Sequence, residues 1–330
     1  MQKPENMKVL FIGGTGIISS AVSRLAIEKG IELYHLNRGE SHRIIEGVIQ
    51  ITGDIRDVEG TKRVLKNHHF DVVVNWISFV PDHIQTDIEI FSGKTDQYIF
   101  ISSASAYEKP ISKLPITEQT PLINPFWQYS RDKAECEKIL LEAFKTRSFP
   151  VTIVRPSHTY DSTLIPISWG YTALDRMIRG KKVIIPGDGT SLWVLTHNSE
   201  FAVGFTGLLG KQEAIGEAYH ITSDELLTWN QIYKWIADEL GVPLKKVYIP
   251  SDFIAKFDQR VGDGLLGDKS HSVIFDNTKI KNLVPEFHCK IPFSEGVKEI
   301  VSWYKENETW QVVNEQSNVT IDTIIEAYEK

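Results

Sequence analysis

The chain has 330 residues, 42% of them hydrophobic and 24% charged, and a formal net charge of −7. That is enough chain for one large core or two packed domains, and the acidic balance lacks the basic footprint that broad nucleic-acid binding needs. Two cysteines, Cys136 and Cys289, stand too far apart for a disulfide framework or a zinc site and fit reduced thiols in a cytoplasmic protein.

No apolar run approaches the roughly 20 residues a membrane-spanning helix requires, and Met1 to Asn6 lacks the basic start and apolar stretch of a signal peptide. In chain order, Lys8-Val9-Leu10-Phe11-Ile12 is a short apolar run ending in glycines and predicts a buried parallel strand. Ile17 to Lys29 has helical spacing and stops at Gly30. Glu32 to Leu36 and Val48 to Thr52 predict the second and third strands, the latter running into Gly53-Asp54. Val58 to Asn67 reads as a helix, and Asp71 to Asn75 and Gln97 to Ser102 as the fourth and fifth strands. Tyr129 to Thr146 is a long helix, followed by a sixth strand from Val151 to Arg155. Strands alternating with helices at this spacing imply an α/β fold with helices on both faces of a parallel sheet. Right-handed crossovers make it the doubly wound, Rossmann-type arrangement.

After Arg155 the texture changes. Pro156, Pro166 and Pro186 punctuate it, and Gly187-Asp188-Gly189 forms a turn. Ala218 to Thr222 predicts a return to the sheet, and Trp229 to Leu240 an amphipathic helix capped by Thr228. Asn307 to Lys330 is polar and is expected as a peripheral helix or tail. The expected division is a Rossmann-type domain over 7–180, rejoined near 194–223, and a smaller mixed α/β substrate domain over 181–330.

Gly13-Gly14-Thr15-Gly16-Ile17-Ile18-Ser19 follows the first strand and opens the first helix, the context that makes a glycine motif informative. Gly13 permits a sharp turn and Gly16 lets backbone approach a pyrophosphate. The helix start adds N–H donors and a positive dipole end. Ser19 stands where a third glycine is usual. The loop, with Thr15, Ile17 and Ile18 beside its glycines, predicts a site for NAD or NADP. The second strand ends in Leu36-Asn37-Arg38-Gly39, without the carboxylate that bonds a ribose 2′-hydroxyl. Arg38, beside Asn37, can instead pair with a 2′-phosphate, so the reading leans to NADP. Stacking or plain solvation of Arg38 leaves NAD open. Asp54 and Ile55 suit the adenine, and Asp54 alternatively caps the next helix.

Tyr129-Ser130-Arg131-Asp132-Lys133 puts a phenol and an ammonium four apart, on one helix face. A neighbouring ammonium favours the phenolate, which predicts a lowered Tyr129 pKa and a group able to move a proton to or from a substrate hydroxyl. Lys133 can also hold the nicotinamide ribose. The fifth strand ends in Ser102-Ser103-Ala104-Ser105-Ala106-Tyr107, with hydroxyls at the carboxyl end of a strand, where such sheets bind ligands. Ser103 is the expected partner of the substrate oxygen, with Ser102 and Ser105 as rivals.

With these motifs in hand, the chain resembles the extended short-chain dehydrogenases/reductases of the NAD-dependent epimerase/dehydratase family, UDP-glucose 4-epimerase being a well-known member. The resemblance runs from about Lys8 to about Tyr304. It rests on the glycine loop, Gly53-Asp54-Ile55-Arg56-Asp57, the serine-rich strand end, Tyr129 and Lys133, Arg155-Pro156, Gly187-Asp188-Gly189 and Phe275-Asp276-Asn277-Thr278-Lys279. It implies Ser103, Tyr129 and Lys133 as the catalytic set. Asn75, Ser78, Ser102 and Pro156 then join the cofactor-lining residues. It also implies a hydroxylated substrate, a sugar nucleotide first, and C4 epimerisation as the reaction, with an NADP-dependent reductase or dehydrogenase as the alternative. Dehydratases of the family usually carry an Asp-Glu pair where this chain has Ala104 and Ser105, which lowers that reading.

Two positions depart from the nucleotide-sugar pattern. His158 stands where an asparagine is usual, and Trp193 where an arginine grips the diphosphate. Lys269 can compensate as a point charge. His158, His197 and Lys269 can together hold an anion, or the histidines can simply be hydrogen-bonded interface residues. Ser105, His158, Trp193, His197 and Lys269 are therefore the expected substrate contacts. No metal site is expected. Thr196-His197-Asn198 and the tryptophan-rich second half also resemble chloroplast stem-loop RNA-binding relatives, a non-catalytic alternative that the retained Tyr129 and Lys133 oppose. A homodimer is expected by analogy with the family.

Overall fold

The computed structural model describes residues 7–40 and 43–330. The N-terminal residues read above as lacking a signal peptide, 1–6, lie outside them. The central sheet has seven strands. Six are β1 (Lys8–Ile12), β2 (Glu32–Asn37), β3 (Ile49–Thr52), β4 (Phe70–Asn75), β5 (Thr95–Ile101) and β6 (Val151–Pro156); Ala218–Ile221 is the seventh. The strand order is Ala218–Ile221, β6, β5, β4, β1, β2, β3, and every neighbouring pair is parallel. The order reverses between β1 and β4, which opens a crevice at their carboxyl ends.

The pleat sorts side chains onto two cores. Val9 and Phe11 of β1 join one, with Val72, Val74, Phe201 and Phe205. Leu10 and Ile12 join the other, with Val73, Tyr98, Phe100 and Leu140. Burial on both faces is why these strands are continuous apolar runs.

Four helices pack on the sheet early in the chain: α1 (Ile17–Glu28), α2 (Val58–Val64), α3 (Pro81–Phe91) and α4 (Gln128–Arg147). In α4 the buried residues Ser130, Lys133, Cys136, Glu137, Leu140 and Ala143 recur at helical spacing and form one inward face. That face is unusual in carrying charges. Glu137 is satisfied by Arg155 of β6, whose Nε and Nη2 donate to its carboxylate at 2.9 and 2.6 Å. Arg155 Nη1 also donates to the Tyr107 hydroxyl at 3.1 Å. This buried pair ties α4 to the sheet one turn beyond Lys133.

The second half packs around its own core, which includes Trp193, Trp229, Ile232, Phe275, Phe293 and Tyr304. Three two-stranded ladders tie it together: His158–Tyr160 with Leu195–His197, Leu192–Trp193 with Leu227–Thr228, and Val183–Pro186 with Lys246–Ile249. Helix Trp229–Leu240 begins at Thr228, whose hydroxyl accepts from Gln231 N at 3.2 Å. The polar C-terminal stretch ends in helix Glu315–Glu329, which buries Ile321, Ile324 and Ile325 against a further core. Among the described residues no helix is long and apolar enough to cross a membrane.

Candidate active site

Two cavities lie at the carboxyl ends of the strands. The first, about 350 Å³, is lined by Gly13, Thr15, Asn37, Arg38, Glu40, Asp54, Ile55, Arg56, Ile77 and Phe79, among others. Its floor is the turn after β1. Gly13 has φ +82°, and a Cβ there would stand 2.6 Å from Ile77 Cγ2, so both backbone and space demand glycine. A Cβ on Gly14 would run into the His35 ring at 2.3 Å. Ser19 occupies the third-glycine position with a purpose: its hydroxyl accepts from Gly16 N at 2.8 Å and donates to Gly13 O at 3.0 Å, locking the loop. The N–H groups opening α1 beside Gly16, at Ile17 and Ile18, have no intrahelical acceptor by position. A glycine cradle, an unsatisfied helix start and a polar cleft beyond it fit a dinucleotide.

The rim of that cleft holds groups the sequence reading passed over. Arg38 pairs with Glu40 at 2.8 Å, both exposed, so a carboxylate does stand near the β2 tip. Arg56 Nη2 donates to Ile77 O at 2.5 Å. Arg43 Nη1 reaches over the first turn of α1 to Ser20 Oγ at 3.0 Å and Gly16 O at 3.3 Å, and it pairs with Asp161 at 3.7 Å. Arg38 was expected here; of Glu40, Arg56 and Arg43, only Arg56 had a sequence signal, as part of Gly53-Asp54-Ile55-Arg56-Asp57.

Asn75 and Ser78 were expected to face the cofactor. The structure turns both side chains inward onto Asp87 of α3, whose Oδ2 accepts from Asn75 Nδ2 at 2.8 Å, Ser78 Oγ at 2.6 Å and the Tyr98 hydroxyl at 2.6 Å. Asp87 is fully buried, which pushes its carboxyl up to about 6, and a buried carboxylate claims whatever donors are near. Ile77 and Phe79 line the cleft in their place. Ser102 is buried with a hydroxyl that has no partner.

The second cavity, about 230 Å³, is lined by Ser103, Ser105, Trp127, Tyr129, Pro156, Ser157, His158, Trp193, Asp268 and Phe275, with smaller apolar neighbours. It therefore joins most of the expected catalytic and substrate residues. Ser130 Oγ donates to Ser105 Oγ at 2.9 Å, and Ser105 Oγ lies 2.9 Å from Ser103 Oγ. With Ser105 accepting from Ser130, its own proton goes to Ser103, which leaves the Ser103 proton for the cavity.

Lys133 stands between the two cavities. Its Nζ is 4.9 Å from the Phe79 ring, on the cofactor side, and 5.8 Å from the Tyr129 ring. It donates to Ser78 O at 2.6 Å and Ile101 O at 2.7 Å. Burial lowers its ammonium to about 8. The expectation of a lowered Tyr129 pKa is corrected: burial raises it, Ser103 lowers it, and the Asp268 carboxylate raises it further. Desolvation outweighs a nearby cation that gives two of its three donors to carbonyls.

The proposed anion-binding trio does not assemble. His197 turns away from this cavity to Ser199 Oγ at 2.7 Å and Glu299 at 3.2 Å. His158 does line the cavity, edge-on to Trp193, but burial and the nearby Lys269 push it down to about 3, so it is a neutral ring. Lys269 lies over two cavity walls, its Nζ 5.8 Å from the Trp127 ring and 5.5 Å from the Trp193 ring. Trp193 packs on Trp229 with centroids 5.5 Å apart, and its indole N–H has no partner. Both cysteines are free. Among the described residues no cluster of ligating side chains is placed to hold a metal ion.

A family model described as the NAD dependent epimerase/dehydratase family matches residues 9–222. The chloroplast stem-loop binding protein of 41 kDa b from Arabidopsis thaliana is 25% identical over 265 residues, 74% of this chain and 67% of that one. The 2′-dehydrokanamycin reductase of Streptomyces kanamyceticus is 24% identical over 296 residues, 86% of this chain and 82% of that one. In fold, the chain is similar to a Thermotoga maritima UDP-glucose 4-epimerase solved with UDP-glucose, at TM-score 0.73 and 21% identity, covering 92% of this chain and 100% of that one.

Proposed function

We propose, for a chain that belongs to the NAD dependent epimerase/dehydratase family, that it is a sugar-nucleotide epimerase in which Tyr129 moves the proton of a substrate hydroxyl. The observation that carries the reading is the place of Lys133, buried between a glycine-floored cleft and a cavity that holds both Ser103 and Tyr129.

Gly13, Thr15, Gly16, Ile17 and Ile18 would hold the pyrophosphate, and Asn37, Arg38, Asp54 and Ile55 the adenosine end. The nicotinamide supplies the hydride acceptor and donor. Ser103 offers its proton to the reacting oxygen, Tyr129 takes or gives the hydroxyl proton, and Lys133 has an N–H left for a ribose hydroxyl. Lys269 is the point charge for a diphosphate where Trp193 replaces the usual guanidinium. The aromatic walls exclude water around the reacting carbon.

A second reading, an NADP-dependent reductase, is favoured by one observation: burial and Asp268 keep the proton on Tyr129, which suits donation to a keto oxygen. The 2′-dehydrokanamycin reductase relative is named for such a reaction. Incubation with UDP-glucose and catalytic cofactor separates the two. Conversion to UDP-galactose without net NAD(P)H supports the epimerase, and no conversion with stoichiometric NADPH use on a keto substrate replaces it with the reductase.

A further inference from the structure

Among the described residues, Asp268 is the only one lining the Ser103–Tyr129 cavity that carries a formal charge, since His158 is neutral. It sits in the short helical turn Leu265–Lys269 and is held rigidly. Asn124 Nδ2 donates to Gly267 O at 2.6 Å and to Ser105 O at 2.8 Å, clamping this turn to the catalytic strand end. A Cβ on Gly267 would stand 2.5 Å from Trp127 Cβ, so the turn is pressed against a cavity wall. On its other side, Trp229 Nε1 donates to Lys269 O at 2.9 Å.

Behind Asp268 lies Lys109, whose side chain is 0% exposed. Its Nζ is 3.5 Å from Asp268 Oδ1, so it compensates the carboxylate's charge from behind and leaves acceptor capacity on the carboxylate. Lys269 adds a second ammonium near the same walls, and among the described residues it makes no ion pair. One cation thus pairs with the carboxylate, and a second lies over the aromatic walls of the same cavity. A carboxylate in that balance still accepts hydroxyl hydrogen bonds, which charge assistance strengthens. The two lysine ammonium groups repel a further ammonium. The aromatic faces of Trp127, Trp193 and Phe275 offer the apolar side of a ring a place to lie.

We infer that Asp268, backed by Lys109, is the residue that selects the substrate ring: it accepts hydroxyl groups of a neutral polyhydroxylated ring and excludes a ring bearing an ammonium group. The inference rests on the reading of this cavity as the sugar site. It assigns Asp268 a specificity role.

The test uses the full chain with NAD and follows tryptophan fluorescence on titration with four probes: glucose, glucosamine, UDP-glucose and UDP-glucosamine, at slightly acid pH where the amine is charged. In the wild type the neutral member of each pair that binds should be favoured by about tenfold or more. Asp268→Asn should weaken the neutral sugar by about tenfold. Lys109→Gln exposes the carboxylate's charge and should move the ratio toward the ammonium sugar by about tenfold. If either variant fails to fold, judged by its melting curve, the wild-type ratio decides alone. Equal or tighter binding of the ammonium sugar overturns the inference, as does a ratio unmoved in well-folded Lys109→Gln or binding of none of the four. Binding of free glucose but not UDP-glucose, with the neutral preference intact, supports the inference while removing the sugar-nucleotide reading. Binding of UDP-sugars without preference does the reverse.

Discussion

Lys133 makes the site's pH behaviour calculable. Its ammonium is penalised only in the folded chain, where burial lowers it from the ordinary 10.5 to about 8. The folded state therefore sheds its proton first. Between about pH 8 and about pH 10.5 the unfolded chain binds more protons, and stability rises with pH across that window. The cost of the buried charge is roughly 3 kcal/mol at neutral pH and about 1 kcal/mol less by about pH 9. Urea unfolding of wild type and Lys133→Met isolates the group, because every other titration is common to both. The stability difference, wild type minus variant, should increase by roughly 1 kcal/mol between about pH 7 and about pH 9. If catalysis needs the charged form, kcat/KM should fall above a limb near pH 8, since that parameter reports the free enzyme. A difference flat in pH would refute the account of Lys133 as a desolvated ammonium, and a kcat/KM with no limb below about pH 10 would remove its charged form from catalysis.

Tyr129→Phe should lower turnover by about 10²- to 10⁴-fold while isothermal titration shows cofactor affinity nearly unchanged; unchanged turnover removes the phenol from the mechanism. Arg38→Ala should weaken NADP more than NAD. Glu40→Gln should shift preference toward NADP, because the exposed carboxylate 2.8 Å from Arg38 opposes a 2′-phosphate; equal losses for both cofactors would show that this pair does not read the ribose. Glu137→Gln should cost about 3 kcal/mol or more in chemical denaturation by stranding the buried Arg155, and Glu137→Leu with Arg155→Met should recover most of it; a mild single-variant effect would mean that water reaches the pair.

The sheet was legible because both of its faces are covered: alternate residues of β1 enter different cores, so the strand is a plain apolar run. The glycine loop was legible for the same local reason, since turn, strand and helix are contiguous in sequence. Helix α3 was not. It opens with Pro81 and carries Asp82, His83, Gln85 and Asp87, a set that looks solvated, yet Asp87 points into the core and takes three hydrogen bonds. The same inversion hides the fate of Asn75 and Ser78. Tyr129 and Lys133 could be paired from spacing alone, but the sign of the Tyr129 pKa could not, because depth of burial is a property of the whole fold. Asp268, Lys109, Glu40 and Arg43 gave no signal, since each acquires its role from a loop that another part of the chain brings alongside.

Two buried charges one turn apart on α4 show what stability explains and what it leaves over. Glu137 is met by a guanidinium through three hydrogen bonds, and that pair also anchors Tyr107. Its presence follows from the need to join helix to sheet. Lys133 has no carboxylate within ion-pair reach among the described residues; it is held by two carbonyls and the faces of Phe79 and Phe100. A methionine would fill the same space without the desolvation cost. An ammonium kept there at a net loss to folding, with one donor unspent beside a phenol and a glycine-floored cleft, is what the proposed role of Lys133 toward a ligand predicts and what packing of the core does not require.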